Sequence, residues 1–136
     1  MTGQEDEAFN GWISDKTFMV VEDMTSSRLL VAGLLRSLGA KKVLAAVDGN
    51  DAMAKLNAAD HVTDIIICDW IMPGMDGLGL LDAAKTKFPG AKFVMLTAKT
   101  EPENVKTARD HGVDGYIGKP FSRESLVSAL KRLMAA

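Results

Sequence analysis

Short apolar runs, each closed by a polar residue, constrain this chain more than any other feature. Phe18-Met19-Val20-Val21 ends in Glu22-Asp23, Ile65-Ile66-Ile67-Cys68 in Asp69, Phe93-Val94-Met95-Leu96 in Thr97, and Tyr116-Ile117 leads into Lys119-Pro120. Val43 to Val47 is one more such run. Runs without apolar/polar alternation are what strands covered on both faces look like. Amphipathic segments separate them. Thr25, Ser26 or Ser27 is expected to cap a helix that runs to Leu38, with Val31, Leu34, Leu35 and Leu38 inward and Gly39 as its stop. Ala52, Met53 and Leu56 mark a second helix, and Met72-Pro73-Gly74 turns the chain into a third from Leu78 to Phe88, closed by Pro89-Gly90. Glu103 to His111 forms a short helix, and Ser122 caps a last one with Leu126, Val127, Leu130 and Leu133 inside. Strand and helix in strict alternation give a (βα)₅ chain. Its strands form a five-stranded parallel, doubly wound α/β sheet, and a ligand belongs beyond the strands' carboxyl ends.

A chain of 136 residues suits one domain, and 47% hydrophobic with 25% charged residues excludes a disordered chain. With 16 basic and 18 acidic side chains the net charge is −2 and no basic run stands out, so nucleic acid is not an expected partner. A single cysteine, Cys68, excludes an internal disulfide and a Cys-rich zinc site and is read as a small core residue. The start of the chain is acidic at Glu5-Asp6-Glu7, unlike a signal peptide, and Ile65 to Cys68 is far too short to span a bilayer. The expectation is a reduced, cytoplasmic protein with no membrane segment. Residues 1–15 stand apart as an acidic N-terminal extension. They read as a flexible tail, with a segment docked on the domain or on a partner as the alternative. Residues 16–136 carry the repeated pattern.

In a parallel sheet all strand ends point the same way. Glu22, Asp23, Asp69, Thr97 and Lys119 should therefore converge on one rim. Three close carboxylates repel, and a hard divalent cation with oxygen ligands, Mg²⁺, would offset them. A carboxylate beside a cation, a Lys and a hydroxyl is equipped to receive a phosphoryl group, with the central Asp69 as nucleophile. His61 and His111 have no partner spacing for a metal or phosphohistidine role and are expected in solvent. Met72 and Met75 should pack beside the site, and Trp70 should be exposed and report on it by fluorescence.

From about Thr17 to Met134 the chain resembles the receiver domain of bacterial two-component response regulators, and the chemotaxis regulators within that family in particular. The resemblance rests on Val20-Val21-Glu22-Asp23, on Cys68-Asp69-Trp70-Ile71-Met72-Pro73-Gly74-Met75-Asp76-Gly77, on Leu96-Thr97-Ala98 and on Tyr116-Ile117-Gly118-Lys119-Pro120-Phe121. It implies a flavodoxin-like receiver fold with strand order 2-1-3-4-5. It further implies that Asp69 accepts phosphate and that Asp23, Asp69 and the backbone carbonyl of Ile71 ligate Mg²⁺, with Glu22 acting through water. Lys119 would pair with the phosphoryl group, Thr97 would move to hydrogen-bond it, and Tyr116 would rotate inward in step. The Lys119-Pro120 bond is expected to be cis.

The implied function is a phosphorylation-activated signalling switch, not an enzyme beyond its own phosphorylation and dephosphorylation. A histidine kinase would be the phosphodonor. With Ala136 closing the last helix, output is expected through a downstream protein target, a flagellar motor switch in chemotaxis, bound by a monomeric domain. The alternatives are a phosphorelay shuttle to a histidine phosphotransfer protein and a metal-dependent phosphatase. The phosphatase would need a second Asp two residues past the nucleophile, where Ile71 stands. Ile71 replaces an Asn of the well-known chemotaxis regulator, and Lys99, two past Thr97, replaces an acid. Both changes put fast self-dephosphorylation in question.

Overall fold

The computed structural model describes residues 3–58 and 62–136; His61 lies outside them. The elements are α1 (Gly3–Asp15), β1 (Thr17–Val21), α2 (Thr25–Ser37), β2 (Lys42–Ala46), α3 (Gly49–Ala58), β3 (Ile65–Cys68), α4 (Gly77–Lys87), β4 (Lys92–Thr97), α5 (Pro102–Asp110), β5 (Gly115–Gly118) and α6 (Arg123–Ala135). All strand pairs are parallel, in the order β2-β1-β3-β4-β5. The register aligns the strand ends: Val21 lies opposite Ala46 and Cys68, Cys68 opposite Met95, and Thr97 opposite Gly118.

The unbroken apolar runs have a simple cause. Successive side chains on a strand point to opposite faces, and here each face meets a core of its own. Phe18, Val20, Ile65, Ile67, Val94 and Leu96 pack with Val31 and Leu35 of α2 and with Leu126 and Leu130 of α6. Met19, Val21, Ile66, Cys68, Phe93 and Met95 pack on the other face with Leu56 of α3, Leu80 and Leu81 of α4 and Ala108 of α5.

Three local readings differ. Residues 3–15, read in the sequence as a flexible tail with docking on the domain or on a partner as the alternative, form helix α1 docked on the domain, with Phe9 4% and Ile13 0% exposed in the first core. Phe9 stacks with Trp12 at 6.1 Å between ring centroids. Gly11 is a weak helix former, so packing of this apolar side holds α1 more than propensity does. None of Thr25, Ser26 and Ser27 caps α2; Met24 occupies the cap position and contributes no side-chain bond. Val47 lies outside β2 and is exposed, because β2 is an edge strand and is paired only with β1. Two terminators behave as the sequence suggested. Gly39 takes φ 113° just after α2, and Ser122 caps α6 through a reciprocal bond pair with Ser125.

If α1 is part of the core, Ile13→Ala should cost about 2–4 kcal/mol, as other buried Ile truncations do. Urea denaturation measures it, and a loss under about 0.5 kcal/mol would show α1 to be only loosely attached.

Candidate functional site

The site is built on the rim that the register creates. Glu22 follows β1 and its N–H donates to the carbonyl of Ala46 at 3.1 Å; Asp69 follows β3 and its N–H donates to the carbonyl of Val21 at 3.1 Å. Lys119 follows β5 and is fastened by its own N–H to the carbonyl of Thr97 at 2.9 Å. The Lys119–Pro120 peptide is cis. From there the Lys119 ammonium donates to Asp69 Oδ2 and to Glu22 Oε1, both at 2.7 Å. Asp69 also accepts the Ile71 N–H on its other oxygen at 3.2 Å. Asp23 is exposed at the mouth.

The segment from Cys68 to Gly77 is held by close backbone packing. Gly77 opens α4, its N–H donating to the carbonyl of Trp70 at 2.8 Å. A Cβ on Gly77 would run into the Asp69 carbonyl and stand 2.6 Å from Trp70 Cα, so only glycine fits. Asp76 caps the same helix by accepting the Gly79 N–H at 2.9 Å, a cap the sequence reading passed over.

Charge in the rim is unbalanced. Burial is the main reason the Glu22 carboxyl lies above the ordinary value; the Lys119 hydrogen bond pulls it down, and the neighbouring Asp69 and Asp23 push it up again. Glu22 Oε2 is buried and has no hydrogen-bond partner. Burial disfavours the Lys119 ammonium, but its bonds to Asp69 and Glu22 outweigh that and place it above the usual lysine value. One ammonium thus faces three carboxylates, and a buried carboxylate oxygen is left unmatched. Oxygen donors with surplus negative charge suit Mg²⁺. Among the described residues no three His, Cys, Asp or Glu side chains form a ready cage, so an ion here would keep several waters.

Around this centre, Thr97 is fully buried and its Oγ1 accepts the Lys99 N–H at 3.3 Å. The Tyr116 hydroxyl donates to the Lys99 carbonyl. The Lys99 ammonium lies 4.7 Å from the centroid of the Trp70 ring. Trp70 is only 6% exposed, against the expectation from sequence, because its indole packs into the second core and Lys99 covers it. Ile71, by contrast, is 61% exposed beside Asp69. Met72 is buried, Cys68 is buried with its thiol pushed well above the ordinary value by burial, and His111 pairs with Asp82 at 2.7 Å, away from the rim. No residue pattern would have given the Lys99–Trp70 contact; its signal is a cation two residues past Thr97.

A group whose native pKa is raised binds more protons folded than unfolded, so its contribution to stability falls as pH rises. Glu22 is such a group. Without divalent cations, Glu22→Gln should gain stability relative to the parent as pH rises from the ordinary glutamate range through the raised value. Denaturant midpoints for both proteins between pH 4 and pH 7 check this, and parallel curves would contradict it.

A family model described as the response regulator receiver domain matches residues 18–131. The probable chemotaxis protein CheY of Rhizobium etli is 34% identical over 121 residues, covering 87% of this chain and 92% of that protein. Chemotaxis protein CheY-3 of Vibrio cholerae is 35% identical over 117 residues, covering 85% of this chain and 88% of its own length. The solved structure of Vibrio cholerae chemotaxis protein CheY4 superposes with a TM-score of 0.78 at 33% identity, covering 86% of this chain and 97% of that one. The strand order and the motifs on its rim agree with that match, and the chain belongs to the response regulator receiver domain family of two-component systems.

Proposed function

We propose that this receiver is a chemotaxis-type switch whose Asp69 takes a phosphoryl group from a histidine kinase. The observation that carries the reading is the Lys119 ammonium, 2.7 Å from both Asp69 and Glu22 at the carboxyl rim of the sheet. An Asp69 carboxylate oxygen attacks phosphorus, the bond from phosphorus to the histidine nitrogen breaks, and an acyl phosphate forms. A carboxylate has no proton to lose, so this nucleophile needs no general base. Lys119 stays within reach of the new phosphoryl oxygens and offsets their charge. Asp23, Asp69 and the Ile71 carbonyl would hold Mg²⁺, with Glu22 acting through water. The ion supplies further charge compensation at the phosphoryl oxygens.

Thr97 and Tyr116 are proposed as the switch. Moving the Thr97 hydroxyl towards a phosphoryl oxygen removes it from the Lys99 N–H, and the Lys99 carbonyl is what Tyr116 holds. Tyr116 also lines a groove with Phe121, Ser125 and Arg132, so a change there reaches the surface formed by β5 and α6. That surface would bind the downstream protein, a flagellar motor switch in the chemotaxis reading that relatives named as chemotaxis proteins support. Among the described residues no helix is long and apolar enough to cross a membrane.

The exposed Ile71 and the Lys99 over Trp70 favour a second reading, a relay that passes phosphate to a histidine phosphotransfer protein. Hydrolysis needs a water in line with the bond to Asp69. A branched apolar side chain can neither donate to nor accept from that water, and an ammonium cannot accept from it.

The first test is phosphorylation by a small phosphodonor with and without Mg²⁺. Intact mass should show one phosphoryl group, lost on treatment with hydroxylamine as an acyl phosphate is, on the parent only with Mg²⁺, and none on Asp69→Asn. Equal labelling of that variant would move the nucleophile elsewhere. The second is lifetime. A hydrogen bond to the attacking water that contributes about 1.4 kcal/mol to the transition state changes the rate about tenfold. Phosphate loss from Ile71→Asn/Lys99→Glu should therefore be about tenfold faster than from the parent; equal decay would remove the case for a long-lived phosphoryl group.

A further inference from the structure

The turn from Glu22 to Met24 carries two of the carboxylates in the Mg²⁺ reading, yet it lacks the usual fastening. Helix α2 begins behind Met24 with no side-chain cap, and Met24 itself is 59% exposed. Nothing in a run of Glu-Asp-Met fixes where the exposed Asp23 carboxylate stands. The chain fastens the turn from inside the helix. Arg28 reaches back over the first turn of α2, and its Nη1 donates to the Glu22 carbonyl at 2.9 Å and to the Asp23 carbonyl at 3.4 Å. Its Nη2 donates to Thr25 Oγ1 at 3.3 Å. The Glu22 N–H is already held by Ala46, so the Glu22 backbone is held at both its N–H and its carbonyl.

We propose that Arg28 is a positioning residue for the Mg²⁺ site: its guanidinium clasps the Glu22 and Asp23 carbonyls and so sets where the Asp23 carboxylate meets the ion. A guanidinium has no lone pair to offer a metal, and its planar fork can hold two acceptors and a hydroxyl at fixed angles where an ammonium cannot. Its charge works the other way. A permanent cation near the rim repels Mg²⁺, so if Arg28 acted only through its field, removing the charge would tighten Mg²⁺ binding. The clasp predicts the opposite sign.

The inference rests on the Mg²⁺ reading given above, and the experiment separates the two. Mg²⁺ is titrated into the full chain and followed by the amide NMR shifts of Asp69 and Ile71, with no phosphodonor present. The parent should saturate. Arg28→Met, which removes the charge, and Arg28→Lys, which keeps it, should both weaken the apparent Kd on the order of tenfold, the usual effect of removing a group that orients a metal ligand. Thr25→Val, a milder change that removes one anchor of the fork, should weaken it in the same direction by less. In metal-free protein, the amides of Asp23 and Met24 should exchange faster in both Arg28 variants, while amides in β1 and β3 keep the parent's rates. Parent affinity in either Arg28 variant, or tighter binding by Arg28→Met, overturns the clasp. A parent that shows no saturable shifts with Mg²⁺ overturns the metal reading and the clasp with it. Faster exchange throughout the sheet would mark Arg28 as a general stabiliser and would also count against a positioning role.

Discussion

The Lys119 ammonium binds carboxylates from two strands that its own strand does not touch. β5 pairs only with β4, yet Lys119 reaches Asp69 beyond β3 and Glu22 beyond β1, across 50 and 97 residues of chain. That contact is available only because five strands run in parallel and end in register. Reversing any one of them would move its terminal residue to the far edge of the sheet. The same contact leaves the rim incomplete. A single ammonium shared by two carboxylates, with Asp23 close by and Glu22 Oε2 unpaired, is a poor resting arrangement for a buried pair. Sites built to take up a further charged group carry this kind of imbalance, and stability is supplied by the two cores instead.

What could be read from sequence and what could not divide along physical lines. The three central strands were legible because burial on both faces removes polar residues, leaving the runs Phe18 to Val21, Ile65 to Cys68 and Phe93 to Leu96. The rim residues were legible for a related reason: a polar residue that ends a buried strand lies at the rim wherever the helices go. Contacts between side chains of distant segments were not legible. Trp70 looked exposed because it follows the strand end, but its indole is buried in the same core as Met72, Leu80 and Leu81, with the Lys99 ammonium over the ring. Helix α1 looked like a tail because the acidic run Glu5-Asp6-Glu7 and the weak helix former Gly11 stand out in it, while its fate is decided by Phe9 and Ile13 joining the core that α2 and α6 share. The cap of α2 failed for a more local reason. Three hydroxyl residues in a row offered caps, and the chain used none, because Arg28 orders the turn from the carbonyl side.

Lys99 shows how these unread contacts bear on signalling. Its N–H holds the Thr97 hydroxyl, its carbonyl holds the Tyr116 hydroxyl, and its ammonium rests on the ring next to Asp69. Each is a single hydrogen bond or cation–π contact, contributing about 0.5–1.5 kcal/mol. In the proposed switch, a state that keeps Thr97 on Lys99 and one that sends it to a phosphoryl group would therefore differ by only a few kcal/mol before phosphate arrives. A gap of that size leaves the second state as a minor population. A phosphoryl group that accepts a hydrogen bond from Thr97 only in the second state would favour it by about 1.5–3 kcal/mol, a shift of roughly one to two orders of magnitude in the equilibrium. The two-faced core makes the transition discrete. Thr97 and Met95 are fully buried in a sheet packed on both sides, so β4 has no soft direction in which to yield gradually. In the proposed switch the movement would fall instead on the loop from Ala98 to Glu101, where the chain is mostly exposed and where Lys99 joins the Thr97 hydroxyl, the tyrosine and the Trp70 ring.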